Sequence, residues 1–180
     1  MSDDAVSTAA QPALLPILIA PHPALRTKAR PVMPTDAARV AELAPAMLAT
    51  MYAAPGIGLA APQVGVGLRL AVLDLQADGA RQPLVLLNPE VIRASTETEP
   101  REEGCLSLPN QYAEVVRPVA VTVRYQDQAG TRREIAADGL LARCLQHEID
   151  HLDGVLFVDH LSVLRRNMIM RKLAKEQRGG

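Results

Sequence analysis

The sequence predicts one α+β domain within its 180 residues, and three observations carry that prediction. An apolar helical period runs through residues 36–54. Four short runs rich in branched residues, bounded by turn signals, fill the middle of the chain. A second helical stretch, from Asp138-Gly139 to about Asp153-Gly154, presents two useful faces, which places it centrally rather than on the surface. No internal repeat or linker interrupts the pattern, so one domain accounts for the length.

In chain order, residues 1–15 read as a flexible tail of small residues, leaving 16–180 as the folded unit. A segment punctuated by Pro21, Pro23, Pro31 and Pro34 follows. Over residues 36–54, Val40, Leu43, Met47 and Met51 recur at helical spacing, with Thr35 or Asp36 as cap and Pro55-Gly56 as terminator. Strands are expected at 68–75, 83–87, 119–125 and 132–136, with a hairpin turn at 127–130. Residues 94–104 look polar and irregular. A last helix is expected from Ser162 to about Gln177.

Aromatic residues make up only 2% of the chain, so the core must rest on Leu, Val, Ile and Ala. A formal net charge of -1 supplies no basic field and argues against a sequence-specific nucleic-acid binder. The N-terminus lacks a basic region, and Pro16 and Pro21 interrupt its apolar stretch. No signal peptide or membrane span is expected, which suggests a cytoplasmic protein. Its two cysteines, Cys105 and Cys144, are then expected to be reduced and free to act as ligands, nucleophiles or core residues.

The second helix, ADGLLARCLQHEIDHLDG, contains His147-Glu148-Ile149-Asp150-His151. Residues four apart lie one turn above each other, so His147 and His151 can grip one metal ion. Glu148 can then take a proton from water activated there, which implies metal-dependent hydrolysis. Leu141, Leu145, Ile149 and Leu152 form a core stripe. Leu140, Cys144, His147 and His151 form a second stripe, and Arg143, Gln146 and Asp150 fall on the polar side between them. Asp150 is one candidate partner for the second nitrogen of a ligating histidine.

Two histidines leave a metal site incomplete. Cys144 is seven residues from His151, about 10 Å along the axis, too far for bonds of about 2.0–2.3 Å to close. Asp153, Asp159 and His160 remain candidates, as in a zinc endopeptidase whose third ligand follows the helix. Cys105 is another, in Glu103-Gly104-Cys105-Leu106-Ser107, where a glycine lets the backbone approach closely. Residues 56–63, GIGLAAPQ, match a dinucleotide fingerprint only formally, because a helix precedes them and Pro62 interrupts the helix they must open. What remains is a tight apolar loop whose Gln63 can donate to an oxyanion.

Together, residues 56–63, 103–107 and 146–151 resemble the GIGLAAxQ, EGCLS and QHExDH motifs of the peptide deformylase family, in the same order. The resemblance covers about residues 17–165. It implies mainly antiparallel sheets packed around the central helix, with N-terminal and C-terminal helices. It implies that Cys105, His147 and His151 hold one divalent metal, ferrous iron in cells with zinc, nickel or cobalt able to substitute. Glu148 is then general base and acid, and Gln63 with the Leu106 N–H binds the oxyanion. Ile57, Gly58 and Gly104 lie along the substrate channel, with Leu140 and Cys144 as candidates for the methionine pocket wall. The implied substrate is the N-formylmethionyl end of a nascent chain, lying against a strand edge near Gly58.

Several positions depart from the family pattern. Pro62 replaces a common Thr, Tyr112 a common Arg, and Arg101 and Arg143 stand where apolar residues border the pocket; both arginines are expected to fold outward along their stems. In the last helix Arg171, Lys175 and Arg178 share a basic face, which in the family can dock on the ribosome. Two rivals stay open: the zinc endopeptidase above, and a non-catalytic metal-binding, ribosome-associated module.

Overall fold

A computed structural model describes residues 10–180. The helical period at 36–54 becomes α1 (Ala37–Ala53), which buries Val40, Ala44, Met47 and Met51 on one face. Gly56 N–H caps the helix end by donating to Met51 O at 2.7 Å. Five strands form an antiparallel sheet: β1 (Gly58–Ala60), β2 (Leu70–Leu73), β3 (Leu84–Ala94), β6 (Ala120–Gln126) and β7 (Arg132–Asp138), in the order β1-β2-β3-β6-β7. Among the described residues β1 pairs with no strand but β2, and on its other edge the Ala60 N–H is taken by Gln63 Oε1. The β6–β7 hairpin turns at Asp127, whose N–H donates to Thr131 O, and Gly130.

Two strands occupy the region expected to be irregular or unassigned. β4 (Thr98–Cys105) and β5 (Leu108–Pro118) form a separate two-stranded sheet. From Asn110 to Arg117 β5 alternates between exposed and buried positions, but its buried set includes Gln111 and Arg117. Polar residues facing inward hide such a strand from a hydrophobic alternation test. β3 also runs past the expected end at 87, continuing through Asn88-Pro89 with register shifts. Asn88 takes a positive φ and its side chain bonds both Val32 N–H and Val32 O.

Helix α2 (Gly139–Leu152) lies between the two sheets. Against the five-stranded sheet, its Ala142, Cys144, Leu145 and Ile149 pack with Leu73, Leu86, Val121 and Val123. Against β4–β5, its polar residues meet polar partners. The arrangement corrects the expected polar side of the helix: Arg143 and Gln146 are buried at 8% and 9% exposure, because β4–β5 covers them, while Leu140 is 49% exposed. Helix α3 (Val163–Arg178) starts at Ser162, whose side chain caps Arg165 N–H, and buries Leu173 beside Leu108, Val115 and Phe157.

Most of the expected N-terminal tail, residues 1–9, lies outside the described residues. Within the described part, Leu15 N–H donates to Thr50 Oγ1, Leu18 N–H to Gln63 O and Ala20 N–H to Ser107 O. No helix among the described residues is long and apolar enough to cross a membrane.

Candidate active site and metal centre

Three elements converge on one point. The first is the loop and strand after α1, where a short 3-10 turn (Ala61–Val64) begins with Pro62 near its start and buries Gln63. Pro suits that position because a first-turn N–H has no helical partner to lose. Gln63 Oε1 accepts from Ala60 N–H at 2.9 Å, and its Nε2 donates to Ser107 Oγ at 3.1 Å. The second element is the β4 end carrying Cys105. The third is α2, with His147, Glu148 and His151.

Cys105 Sγ lies 3.3 Å from His151 Nε2, which lies 3.2 Å from His147 Nε2. The three ligand atoms all fall within 4.8 Å of one another. A tetrahedral centre with bonds of about 2.0–2.3 Å has ligand–ligand edges of about 3.3–3.8 Å, close to these separations. The sulfur also accepts from Gln63 Nε2 at 3.6 Å and Ser107 N–H at 3.4 Å, donors suited to a thiolate. Buried Glu148 Oε2 and His151 Nδ1 have no hydrogen-bond partner. Orphaned buried atoms beside a convergent soft-and-imidazole donor set fit a site that takes a divalent ion.

Electrostatics support distinct states for neighbouring groups. Burial opposes charge on His147, yet its hydrogen bonds with Cys105 and Glu103 raise its pKa well above the ordinary value. Burial, followed by the charge of His147, holds His151 well below its ordinary value. Burial pushes the Glu148 carboxyl up to about 7, close to the range where a carboxylate exchanges protons readily at neutral pH. Burial also pushes the Cys144 thiol well up, which suits a wall residue rather than a ligand.

One cleft of about 720 Å³ is lined by Ile57, Gly58, Gly104, Leu106, Leu140 and Cys144, as well as by Gln63, Cys105, His147 and Glu148. Two glycines are required by close approach. A Cβ on Gly58 would sit 2.3 Å from Glu148 Oε1, and one on Gly104 would sit 2.6 Å from the Tyr112 ring. The residues expected at the channel therefore do border one space with the expected base and donors.

The family model for polypeptide deformylase matches residues 14–167. The chain belongs to this family. A peptide deformylase of Rhizobium meliloti (strain 1021) is 55% identical over 161 residues, covering 89% of this chain and 92% of that protein. Among solved structures, a peptide deformylase from Legionella pneumophila aligns with a TM-score of 0.86 and 48% identity, over 92% of this chain and 96% of that one. A deformylase from Synechococcus elongatus, solved in complex with actinonin, aligns at 0.82 and 45% identity, over 91% and 89% of the two chains. Deformylases are metal-dependent hydrolases that remove the N-formyl group from N-formylmethionine of newly made polypeptides.

Within this deformylase fold, the structure corrects two expectations around the histidines. Asp150 partners neither His147 nor His151. It accepts from Arg117 Nη1 at 2.8 Å and meets His160 Nε2 at 2.8 Å. The partner of His147 Nδ1 is Glu103 Oε2 at 3.1 Å. Arg143 does not fold outward; its guanidinium turns inward to Glu103, whereas Arg101 stays exposed and pairs with Glu99. Glu103 and Arg117 went unassigned in the sequence because their roles depend on β4–β5 pairing. The only local signal was a glutamate immediately before Gly104-Cys105. The downstream candidates for a third ligand are engaged elsewhere: Asp153 with Arg69, Asp159 with Arg26, and His160 with Asp150.

Proposed function

We propose that Cys105, His147 and His151 hold one divalent metal in this chain, and that Glu148 handles the protons of formyl-amide hydrolysis. Convergence of the three donors beside an unpartnered Glu148 oxygen carries the reading. When bound, the ion supplies Lewis acidity, lowering the pKa of water and polarising the formyl oxygen. Glu148 accepts a proton as water attacks the formyl carbon and delivers it to the leaving amine nitrogen, releasing formate. Gln63 keeps one Nε2 hydrogen on Ser107 and turns the other toward the developing oxyanion together with the Leu106 N–H; its Nε2 stands 3.6 Å from the Cys105 sulfur.

The methionine side chain enters the apolar side of the cleft at Leu140 and Cys144. The peptide backbone lies along the sheet edge of β1 at Gly58, with Ile57 and Gly104 bounding the channel. The catalytic domain comprises residues 16–180. Ferrous iron is the metal in the cell, with zinc, nickel or cobalt able to replace it, and the enzyme works on nascent chains in the cytoplasm. Exposed Arg171, Lys175 and Arg178 on α3 steer it electrostatically to the ribosome.

The test is anaerobic formate release from formyl-Met-Ala-Ser by protein loaded with iron or nickel. Turnover that disappears on chelation and returns with metal is expected. Absence of formate from fully loaded protein, or cleavage of an internal peptide bond instead, contradicts the proposal.

A further inference from the structure

Arg143 stands one helical turn before His147, on the same side of α2. It is 8% exposed, and three acceptors hold its guanidinium. Nη1 donates to Glu103 Oε1 at 2.7 Å and to Val115 O at 2.9 Å. Nη2 donates to Glu99 O at 2.8 Å. Arg143 therefore joins α2, which carries two proposed ligands, to β4, which carries the third, and to β5 behind it.

Glu103 is the hub of this arrangement. Its Oε1 takes donors from Arg143 and from Arg117 Nε, the latter at 2.5 Å. Its Oε2 takes Arg117 Nη2 at 3.0 Å and His147 Nδ1 at 3.1 Å. Four donors saturate the roughly four lone-pair sites of one carboxylate, so Glu103 has one orientation in which every bond is kept. Arg117 also reaches Asp150, so two arginines and two histidines gather on the carboxylates of Glu103 and Asp150 in this cluster. Removing Arg143 takes one of the two donors from Glu103 Oε1 and leaves Val115 O and Glu99 O without the guanidinium that ties them to α2, which loosens the hub beside His147.

The same residue borders the substrate cleft next to Leu140 and Cys144. We infer that Arg143 is a positioning residue that couples the methionine pocket to the metal centre, through Glu103 and His147. A side chain that fits the pocket leaves Arg143 in place and Glu103 locked on His147. One that crowds it shifts the guanidinium and loosens the imidazole. Pocket fit is thus expressed in turnover and metal retention as well as in substrate affinity. The inference rests on the Cys105–His147–His151 reading.

The test compares Arg143→Met, which keeps an unbranched apolar stem but no donors, with Arg143→Lys, which keeps the charge without the fork. Each is purified with cobalt or zinc and titrated against a chelator. Arg143→Met should weaken metal binding about 10–100-fold, the range found when a partner of a ligating histidine is lost. Its kcat on formyl-Met-Ala-Ser should fall more than its KM rises, and the cobalt absorption spectrum should shift. Arg143→Lys should lie between it and wild type. In the Glu103→Gln background, Arg143→Met should add little further loss of metal affinity, because the path through Glu103 is already broken. Wild-type metal affinity and kcat in Arg143→Met, a loss confined to KM, or full additivity with Glu103→Gln would each overturn the inference. Should Arg143→Met not fold, Arg143→Lys decides alone: metal affinity equal to wild type overturns it, and weakened binding with a shifted cobalt spectrum supports it. Failure of the underlying ligand reading has a separate signature, full metal retention by Cys105→Ala.

Discussion

On one flank of α2, Ala142, Leu145 and Ile149 meet Leu73, Leu86 and Val123 in an apolar cluster. On the other, Arg143, His147 and Asp150 meet Glu103 and Arg117 in a buried ionic one. The apolar flank is stabilised by removal of surface from water, which has no direction and tolerates repacking that conserves volume. The ionic flank is directional. Each group there is fixed by named hydrogen-bond partners, and losing one partner strands a charge in the interior. A hydrolytic centre needs its groups held in one orientation, and the directional flank fixes His147 through Glu103, whereas Glu148 lies against Gly58 of β1 with one oxygen unpartnered.

The largest effect on activity is expected from Glu148→Ala. Removing the general acid–base group should lower turnover by about 10²–10⁴-fold while circular dichroism and metal content stay as in wild type. Formate release near the wild-type rate would assign the base elsewhere.

Glu103→Leu breaks the ionic flank directly. It leaves Arg117 and Arg143 facing an apolar side chain, and a loss of about 3–5 kcal/mol in denaturant unfolding is expected, together with weaker metal binding. Leu145→Ala breaks the apolar flank at a fully buried position and should lose about 2–5 kcal/mol. Metal affinity of the folded protein should remain unchanged in this variant. Equal weakening of metal binding by both substitutions would erase the distinction between the flanks.

A smaller effect calibrates one polar pair away from α2. Tyr52 O–H donates to Asp74 Oδ2 at 2.5 Å, and burial raises the phenol pKa from 10.0 to about 12. Because the folded state binds this proton more tightly, its contribution is complete below pH 10 and is lost as pH rises toward about 12. Tyr52→Phe should cost about 1 kcal/mol at neutral pH and flatten the alkaline part of the stability profile. An unchanged alkaline slope would contradict the assignment.

The same contrast explains what could be read before any coordinates. The apolar stripe of Leu145 and Ile149, the period in α1 and the β6–β7 hairpin are local patterns, and they appear in the fold as their spacing suggested. Spacing within the helix also sufficed to pair His147 with His151 and to exclude Cys144 from their group. The ionic flank was not legible. Arg143, Gln146 and Asp150 look like a solvated side until β4–β5 covers them, and that hairpin was itself obscured because Glu103, Gln111 and Arg117 face inward. Buried charges cannot be told from exposed ones by pattern when their partners lie on another element. Glu103 and Arg143 are 40 residues apart in sequence and meet only through strand pairing.

Metal stoichiometry of Cys105→Ala tests the central claim most directly. The wild-type chain, purified anaerobically with added iron or zinc, is expected to hold one ion. With the thiolate gone, two imidazoles remain, and bound metal should collapse after dialysis while the fold persists by circular dichroism. One ion per chain in folded Cys105→Ala, with formate release intact, would contradict the account.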